Sequence, residues 1–360
     1  MKKEFWRNKK VFITGHTGFK GSWLTIILSH LGSKVAGYSL NPISRPNFFD
    51  DVGLKKLITR DIRSNVKDKK KLLKEIKSFR PSIVFHLAAQ SSVLVSYKDD
   101  LETIETNVNG TSNILNIIKD LKFIKSSIIV TTDKVYENLE KKIKFSEQEP
   151  LGGHDIYSAS KAACEIITKS YIKSFFSNKK SSNIATVRSG NCIGGGDWTK
   201  DRILKDCAEK FLFNKSLTIR NPSATRPWQH VIEPITGYLT LAEKLYKDKK
   251  KKFRGAWNFG PSLKKNLSVF QVANYLKKKL NSSSKIKILK SNFYESQHLS
   301  LNSKKAAKLL KWKNKLSNKE ALNLTLDWYS KYYSLNSQLK SNMIDFTLGQ
   351  IKHYFKKCKL

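Results

Sequence analysis

The sequence predicts an α/β fold, a doubly wound parallel sheet followed by a smaller, mixed C-terminal lobe. Short apolar runs without polar alternation recur between residues 11 and 188, and helix-like stretches separate them. Strands of this kind belong to parallel sheets that helices cover on both faces. A glycine-rich turn directly follows the first run, and after Arg188 the alternation gives way to long loops rich in Gly, Asn, Asp and Trp. A chain of 360 residues has room for a second lobe built from those loops.

The predicted elements alternate in chain order. The strands are residues 11–13, 35–38, 83–87, 128–132 and 184–188, and the helices are residues 22–31, 69–77, 107–121 and 157–175. A helical apolar stripe in the tail contains Ile344, Leu348, Ile351 and Phe355. We therefore expect three parts: a sheet domain of residues 1–188 to which 231–260 return, a substrate lobe of 189–230 and 261–335, and a docked C-terminal helix in 336–360.

The charge of the chain is strongly positive. The sequence has 68 basic and 29 acidic residues, a net charge of +39. Such an excess raises the hypothesis of a nucleic-acid partner or an anionic surface. Only ten of the basic residues are arginine, however, and the lysine runs are spread over different segments. Because arginine is the better bidentate reader of phosphates and bases, we favour a lysine-rich solvated surface and expect no nucleic-acid partner.

Cysteine usage and the N-terminus bear on the compartment. The four cysteines are far apart without a CxxC, which favours a reduced, cytoplasmic protein. The seven histidines are scattered, so no metal site is expected. The first apolar run, residues 11–13, is too short for a signal sequence or a membrane span, and we expect no membrane contact.

The glycine-rich turn is a candidate dinucleotide site. It reads Gly-His-Thr-Gly-Phe-Lys-Gly over residues 15–21, between a strand and a helix. The glycines allow the backbone to approach a pyrophosphate, which the helix N-terminus stabilises, as in a Rossmann-type domain. His16 and Lys20 would add polar bulk near the phosphates. The alternative is a tight turn without a ligand.

The second strand does not distinguish NAD from NADP. Ser39 stands where an acidic residue would hold the adenosine ribose, and Arg45 follows six residues later. We therefore predict NAD without excluding NADP. Asp61 and Ile62 are candidates for an adenine contact, with a helix-capping Asp as the alternative.

A tyrosine and a lysine form the second motif. Tyr157 and Lys161 lie four residues apart on one predicted helix face, after the segment Thr131-Thr132-Asp133-Lys134. An ammonium near a phenol favours the phenolate and brings its pKa from about 10 toward the working range. The phenolate can then accept a hydroxyl proton while a hydride leaves the same carbon.

Six segments together carry a resemblance to a known family. They are residues 15–23, 86–90, 131–138, 151–158, 194–198 (Gly-Gly-Gly-Asp-Trp) and 226–230 (Arg-Pro-Trp-Gln-His). With these segments the chain resembles the CDP-glucose 4,6-dehydratases of the extended short-chain dehydrogenase/reductase superfamily, from about residue 5 to residue 335. The last two segments are specific within that superfamily.

The resemblance implies a reaction. CDP-glucose would become CDP-4-keto-6-deoxyglucose by internal hydride transfer from C4 to C6 through tightly held NAD, with loss of water. Tyr157 and Lys161 would serve oxidation at C4, and Thr132 would hydrogen-bond the 4-oxygen. Asp133 would protonate the departing C6 hydroxyl. Lys134, where related dTDP-sugar dehydratases usually have Glu, would take the C5 proton, which requires a neutral amine.

The resemblance also implies binding residues. For the cofactor they are Gly15, His16, Thr17, Gly18, Phe19, Lys20, Gly21, Asp61, Ile62, Leu87, Ala88, Ala89, Gln90, Asn107, Tyr157 and Lys161. For the substrate they are Thr132, Asn191, Trp198, Arg202, Arg226 and His230, with Arg226 first and Arg202 second against the diphosphate. The alternatives are an ion pair of Arg226 with Glu233 or Asp206, core packing of Trp198, and a surface pair of Asp133 and Lys134.

Two positions depart from the family pattern, and other functions stay open. Leu94 occupies the usual Arg position, which puts substrate preference in question, and Ser189 replaces the usual Ala. The alternatives are a sugar epimerase, a dehydratase for another nucleotide hexose and a nucleic-acid-binding protein on a Rossmann scaffold. Asp133 and Lys134 favour dehydration over epimerisation. The resemblance further implies a homodimer through the helices at 107–121 and 157–175.

Overall fold

Parallel strands form the central sheet in this computed structural model, which describes residues 2–139, 143–177, 181–261, 267–289, 299–336 and 342–359. The strands are β1 Lys10–Thr14, β2 Lys34–Ser39, β3 Arg60–Arg63, β4 Ile83–His86, β5 Ser126–Val130, β6 Asn183–Arg188, β7 Cys192–Ile193, β8 Leu217–Ile219, β9 Thr225–Arg226, β10 Gln229–His230, β11 Gly255–Asn258, β12 Leu267–Ser268 and β13 Ile286–Ile288. Seven of them pair in the order β11-β6-β5-β4-β1-β2-β3. This order confirms the predicted doubly wound sheet.

Helices cover the sheet and build the rest of the molecule. The α-helices are α1 Lys3–Trp6, α2 Phe19–His30, α3 Phe48–Asp51, α4 Lys69–Phe79, α5 Val93–Ser96, α6 Asp100–Ile104, α7 Gly110–Asp120, α8 Ile156–Phe175, α9 Ile203–Leu212, α10 Ile232–Lys247, α11 Val269–Lys279, α12 Asn318–Ser334 and α13 Met343–Cys358. A π-helical turn, Glu105–Asn109, precedes α7, and a 3₁₀ turn, Asp133–Val135, follows β5. Across the described ranges, no helix is long and apolar enough to cross a membrane.

Alternate residues of β1 separate two apolar cores. Val11 and Ile13 belong to one core, and Phe12 belongs to the other. Successive strand residues point to opposite faces, so each face of the sheet has its own layer of helices. Trp23 of α2 packs in the first core, and Ile114 of α7 packs in the second.

The edges of the sheet differ from the predicted set of strands. The prediction missed β3, Arg60–Arg63, which lies at one edge of the sheet and is half-buried. Because an edge strand tolerates polar side chains, its sequence lacks the apolar run by which the other strands were predicted. At the other edge, β11 pairs with β6. Three further two-stranded sheets, β7–β10, β9–β12 and β8–β13, lie apart from the seven-stranded sheet. The division into domains stays a prediction, and its segments 262–266, 290–298 and 337–341 lie outside the described residues.

The last helix packs against the body of the protein. Buried residues of α13 include Met343, Thr347, Ile351 and Tyr354, whereas Ile344 is half-buried. The Tyr354 hydroxyl lies 3.4 Å from the Thr236 hydroxyl of α10. The buried face is therefore turned slightly from the apolar stripe that the sequence suggests.

Candidate active site

A cavity of about 870 Å³ opens at the carboxyl ends of the central strands. This is where parallel sheets with helices on both faces bind ligands. The predicted site residues that line it are Gly15, Thr17, Gly18, Phe19, Lys20, Gly21, Leu87, Ala88, Ala89, Thr132, Asp133, Lys134, Tyr157, Lys161, Asn191, Trp198, Arg202 and Arg226. Leu94 and Ser189, the two departures from the family pattern, also line it. The cavity therefore brings together most residues of the predicted cofactor, catalytic and substrate sets.

The glycine turn has the shape of a pyrophosphate cradle. Gly15 has φ +78°, and a Cβ there would lie 2.7 Å from the Ala88 nitrogen. A Cβ on Gly21 would lie 2.0 Å from the Gly15 carbonyl oxygen. Gly18 is the exposed N-cap residue of α2, and the helix N-terminus opens into the cavity. The turn thus fits a dinucleotide, because its glycines leave room for an anion beside the backbone at the start of a helix.

His16 and Asp61, two of the predicted cofactor residues, are not among the residues that line the cavity. The His16 ring packs over Gly37, where a Cβ would come within 2.3 Å of it, and Nε2 lies 2.9 Å from Asp61 Oδ1. Arg63 donates to the other Asp61 oxygen at 2.9 Å. Burial lowers the pKa of His16, and the Asp61 hydrogen bond opposes that shift. The two side chains therefore join the glycine turn after β1 to β3.

Other residues line the cavity near the ends of β2 and β3. Ser64, Asn65 and Val66, just after β3, contribute to the wall in place of Asp61 and Ile62. At the end of β2 the Thr17 hydroxyl lies 2.8 Å from the Ser39 hydroxyl. Sequence reasoning missed the first three because they follow an edge strand that carries no apolar signal.

Gln90 and Asn107 support the wall of the cavity without lining it. The Gln90 backbone N–H donates to Asn107 Oδ1 at 2.9 Å. Asn107 Nδ2 donates to the Ser160 hydroxyl of α8, also at 2.9 Å. These bonds join the loop after β4 to the helix that carries Tyr157.

Asp133 is a buried carboxyl at the centre of the site. Burial raises its pKa, and Lys134, Thr132, Arg226 and Lys20 oppose the shift. The Thr132 hydroxyl donates to Asp133 Oδ1 at 3.1 Å. Such a carboxyl keeps its proton to higher pH than an exposed one, as a general acid requires.

The pKa of Tyr157 beside Lys161 does not shift in the direction that the sequence predicts. Burial raises the pKa of Tyr157 to about 12, against the hydrogen bond from Thr132 and the charge of Lys20. Burial also lowers the pKa of Lys161, whose ammonium donates to the Val130 carbonyl at 3.3 Å. The expected lowering of the tyrosine pKa by Lys161 is therefore not found, because desolvation of the phenol outweighs nearby charges in the protein itself.

The substrate end of the cavity carries arginine and aromatic side chains. Arg202 Nε lies 3.1 Å from Asp197 Oδ2, and Arg226 is buried in the wall. The two carboxylates considered as partners of Arg226 have other contacts. Glu233 accepts from the Lys315 and Leu316 backbone, and Asp206 pairs with Lys205. Arg220 also lines the wall and was not among the predicted substrate residues.

Trp198 and His230 both pack against aromatic rings, but only Trp198 also lines the cavity. Trp198 lines the cavity, yet its ring packs against Tyr332 at 4.7 Å and its indole donates to Asp51 at 2.6 Å. His230 is fully buried with its ring edge-on to Trp23, and burial lowers its pKa to about 3. His230 is not among the residues that line the cavity, and its substrate contact stays a prediction.

Comparisons with known proteins agree with this geometry. The GDP-mannose 4,6-dehydratase family matches residues 12–325. The CDP-glucose 4,6-dehydratase of Salmonella typhimurium is 44% identical over 263 residues, which are 72% of this chain and 73% of the relative.

Solved structures share the fold. The dTDP-glucose 4,6-dehydratase of Bacillus anthracis in complex with NAD has a TM-score of 0.76 at 21% identity, covering 92% of this chain and 99% of its own. The UDP-glucuronic acid 4-epimerase of Bacillus cereus, in complex with UDP-glucuronic acid and NAD, has a TM-score of 0.77 at 24% identity, covering 90% and 100%. Dehydratases and epimerases thus share this architecture, and the side chains of the site have to distinguish them.

Proposed function

Because the chain belongs to the GDP-mannose 4,6-dehydratase family and is a nucleotide-sugar 4,6-dehydratase, we propose that it converts CDP-glucose to CDP-4-keto-6-deoxyglucose. The single observation that carries this choice over an epimerase is the buried Asp133 beside Lys134, in the wall that also contains Tyr157. Epimerisation needs the tyrosine and lysine pair, whereas elimination of water also needs an acid and a base. The nucleobase follows from the 44% identity to the Salmonella enzyme.

NAD is the proposed cofactor, and bound NAD would supply a hydride acceptor that later returns the hydride. Gly15, Gly18 and Gly21 would hold its pyrophosphate at the start of α2. Ser39 and the Ser64–Val66 segment would surround the adenosine half. Leu87, Ala88 and Ala89 would form the wall beneath the nicotinamide half, and NADP stays an alternative to be tested.

The first proposed step is proton removal from the 4-hydroxyl. Tyr157 would accept this proton as hydride leaves C4, and Thr132 would hold the 4-oxygen. Tyr157→Phe is therefore expected to slow oxidation at C4 about 10²- to 10⁴-fold, the usual effect of losing a positioned acid or base. Single-turnover nicotinamide absorbance measures this step, and turnover at the wild-type rate would contradict the role of Tyr157.

Elimination is the second proposed step. The 4-ketone acidifies the C5 hydrogen, Lys134 would accept that proton, and Asp133 would protonate the departing C6 hydroxyl. The direction of the Asp133 pKa supports the acid role, since burial raises this pKa and so favours the protonated carboxyl. Arg226 and Arg202 would neutralise the substrate diphosphate, and Asn191 would contact the diphosphate or sugar.

The proposed function is tested by incubating the purified protein with NAD and CDP-glucose. The 4-keto product is followed by its alkaline chromophore, with dTDP-glucose and GDP-mannose in parallel reactions. A preference for dTDP-glucose or GDP-mannose would assign the chain to another nucleotide hexose. A 4-epimer without a ketone would contradict dehydration, and co-purifying RNA in the absorbance ratio would support the nucleic-acid alternative.

We also propose a homodimer through α7 and α8. Ile166 and Phe175 of α8 are exposed apolar residues, while Tyr157 on the same helix is buried in the cavity wall. A second copy would cover these apolar residues. Light scattering at micromolar protein concentration should give the mass of a dimer. A monomer mass would contradict the proposal.

We propose a reducing, cytoplasmic setting because of the state of the cysteines. Cys164, Cys192, Cys207 and Cys358 are free thiols, and Cys164 and Cys207 are buried. Burial raises the pKa of both buried thiols, which keeps them unreactive.

A further inference from the structure

Ser96 is a fully buried serine at the end of α5 whose hydroxyl makes two hydrogen bonds. The hydroxyl oxygen accepts the backbone N–H of Tyr157 at 3.2 Å. The hydroxyl proton is donated to the Val93 carbonyl oxygen at 2.8 Å. Ser96 is 0% exposed and is not among the residues that line the cavity. One side chain behind the cavity wall thus joins the peptide of the tyrosine to the short helix α5.

The backbone N–H of Tyr157 belongs to the first turn of α8. The first N–H groups of a helix have no carbonyl partner within the helix. Asp155, the N-cap residue, accepts the Ser158 N–H at 2.9 Å. The Tyr157 N–H donates to Ser96 instead. Because Ser96 and Tyr157 are both buried, removal of the Ser96 hydroxyl would leave this N–H unpaired in the interior.

The segment that precedes α8 packs against the same first turn. A Cβ on Gly153 would lie 2.3 Å from the Ala159 nitrogen and 2.7 Å from the Ser158 carbonyl carbon, so this glycine contacts the helix backbone directly. Asp155 also accepts the Ser158 hydroxyl at 2.7 Å. The start of α8 is therefore fixed by its own preceding segment and, through Ser96, by an element that is distant along the chain.

The residues just before Ser96 form part of the cavity wall. Residues 91–94 line the cavity, as does Tyr157. Because the Ser96 hydroxyl bonds both Val93 and Tyr157, this part of the wall and the tyrosine are held at a fixed separation. A general base has to lie within hydrogen-bond reach of the proton that it accepts. The separation between wall and tyrosine therefore decides whether a sugar hydroxyl in the cavity reaches the phenol.

We propose that Ser96 is a positioning residue that holds the Tyr157 phenol at the distance from the cavity wall that oxidation at C4 requires. The proposal rests on the proposed dehydratase function, in which Tyr157 accepts the 4-hydroxyl proton. Misplacement of a reacting group by about 1 Å lowers a rate by up to about 10²-fold. Ser96 exchanges no proton with the substrate, because its hydroxyl is buried behind the wall.

Ser96→Ala tests the proposal in single-turnover oxidation at C4. The rate constant should fall about tenfold, because the first turn of α8 loses a fixed contact, while the Kd of NAD should stay unchanged. Ser96→Thr keeps the hydroxyl and should restore most of the rate. Ser29→Ala is the matched control: it removes a hydroxyl that donates to the Leu57 carbonyl at 2.8 Å, outside the cavity wall, and should leave the rate unchanged.

A double-variant cycle with Tyr157→Phe separates positioning from a general loss of structure. If Ser96 acts through the tyrosine hydroxyl, Ser96→Ala should slow the wild type about tenfold and Tyr157→Phe hardly at all, because the positioned group is already absent. Equal slowing in both backgrounds would overturn the proposal, as would a wild-type rate for Ser96→Ala. If Ser96→Ala does not fold, Ser96→Cys takes its place, because it keeps a side chain of similar shape with a weaker acceptor.

Amide hydrogen exchange tests the contact without substrate. In NAD-loaded protein labelled with ¹⁵N-tyrosine, the Tyr157 signal is identified by its absence from Tyr157→Phe. Its exchange should become about tenfold faster in Ser96→Ala, whereas exchange of Tyr171, further along the same helix, should stay unchanged. Unchanged exchange at Tyr157 would overturn the role of Ser96. If CDP-glucose is not converted, the dehydratase proposal fails, while the exchange experiment still supports or contradicts the contact.

Discussion

Two buried carboxyl groups near the end of β5 have opposite surroundings. Glu165 of α8 accepts hydrogen bonds from Arg188 at 2.9 Å on both oxygens, and from Thr131 at 2.6 Å and Thr186 at 2.5 Å. Asp133 accepts one side-chain hydrogen bond from the described part of the chain, from Thr132 at 3.1 Å. The same chemical group is thus fully bonded at one position and sparsely bonded at the other.

This difference distinguishes a structural carboxylate from a candidate acid. A buried carboxylate with a guanidinium and two hydroxyls has its negative charge compensated. A buried carboxyl without such partners favours its protonated form, which can donate a proton. The Glu165 network stabilises the region from which Asp133 extends into the cavity.

The largest effect is expected where the compensated pair is broken. Arg188→Met leaves Glu165 buried without its cation, so the free energy of unfolding should fall by about 3–5 kcal/mol. Urea unfolding measures the loss. Arg7→Met, which removes an exposed arginine near the N-terminus, is the control and should change little.

A double variant sharpens the result for Arg188. Glu165→Leu with Arg188→Met removes both charges and should recover part of the lost stability, because no unpaired buried charge remains. If the single variant were as stable as the wild type, the pair would not be compensated as described.

Asp133→Asn should affect the reaction rather than the stability. An amide cannot supply the acidic proton, so loss of water should slow about 10²-fold or more. Oxidation at C4 should continue, because Tyr157 and Thr132 remain. Rapid quenching should therefore show a 4-keto-hexose with reduced cofactor. Failure at the first hydride transfer would mean that Asp133 orients the sugar or cofactor instead.

The change in stability that we expect for Asp133→Asn is opposite in sign to the change expected for Arg188→Met. Because burial raises the pKa of Asp133 in the folded state, folding favours its protonated form. Stability from this group is present below the unfolded pKa and falls as pH rises through the raised pKa. At neutral pH the thermal midpoint of Asp133→Asn should equal or exceed that of the wild type, whereas a clear decrease would contradict this account.

Lys134→Met tests the partner of the acid. Without the amine, removal of the C5 proton should slow about 10²-fold, and exchange of that hydrogen with deuterated solvent should fall equally. Asp133→Asn should retain the exchange, because the proton is still removed there. Normal exchange in Lys134→Met would assign the base to another residue.

The sequence predicts the two carboxyl regions unequally well. Asp133 was selected because it lies in one of the segments that carry the family resemblance, and that resemblance implies an acid at this position. The partners of Glu165 carry no local signal, because Arg188 is 23 residues away at the end of β6 and meets Glu165 only where α8 packs on that strand.

Side-chain direction is the other feature that motifs leave open. The glycine motif predicts that His16 and Lys20 lie near the phosphates, but it does not predict the direction of their side chains. His16 turns over Gly37 to Asp61 because β2 offers space there, and Lys20 extends to Ser189. Such directions depend on neighbours that are distant along the chain.

Tyr136→Phe is the smallest change and examines the edge of the Glu165 network. The Tyr136 hydroxyl accepts from Arg188 at 2.7 Å and donates to Asn258 at 2.7 Å. Removing it leaves one guanidinium N–H and one amide oxygen without this partner, while the bonds between Arg188 and Glu165 remain. The free energy of unfolding should therefore fall by only about 1–3 kcal/mol, the cost of unsatisfied buried polar groups.

Water loss should change less in Tyr136→Phe than in Asp133→Asn, because the phenyl ring still packs on Phe145, 4.9 Å between centroids, and holds the turn that carries the acid. Parallel urea and single-turnover measurements check both expectations. A loss of activity as large as that of Asp133→Asn, without loss of stability, would show that the network acts on the chemistry itself.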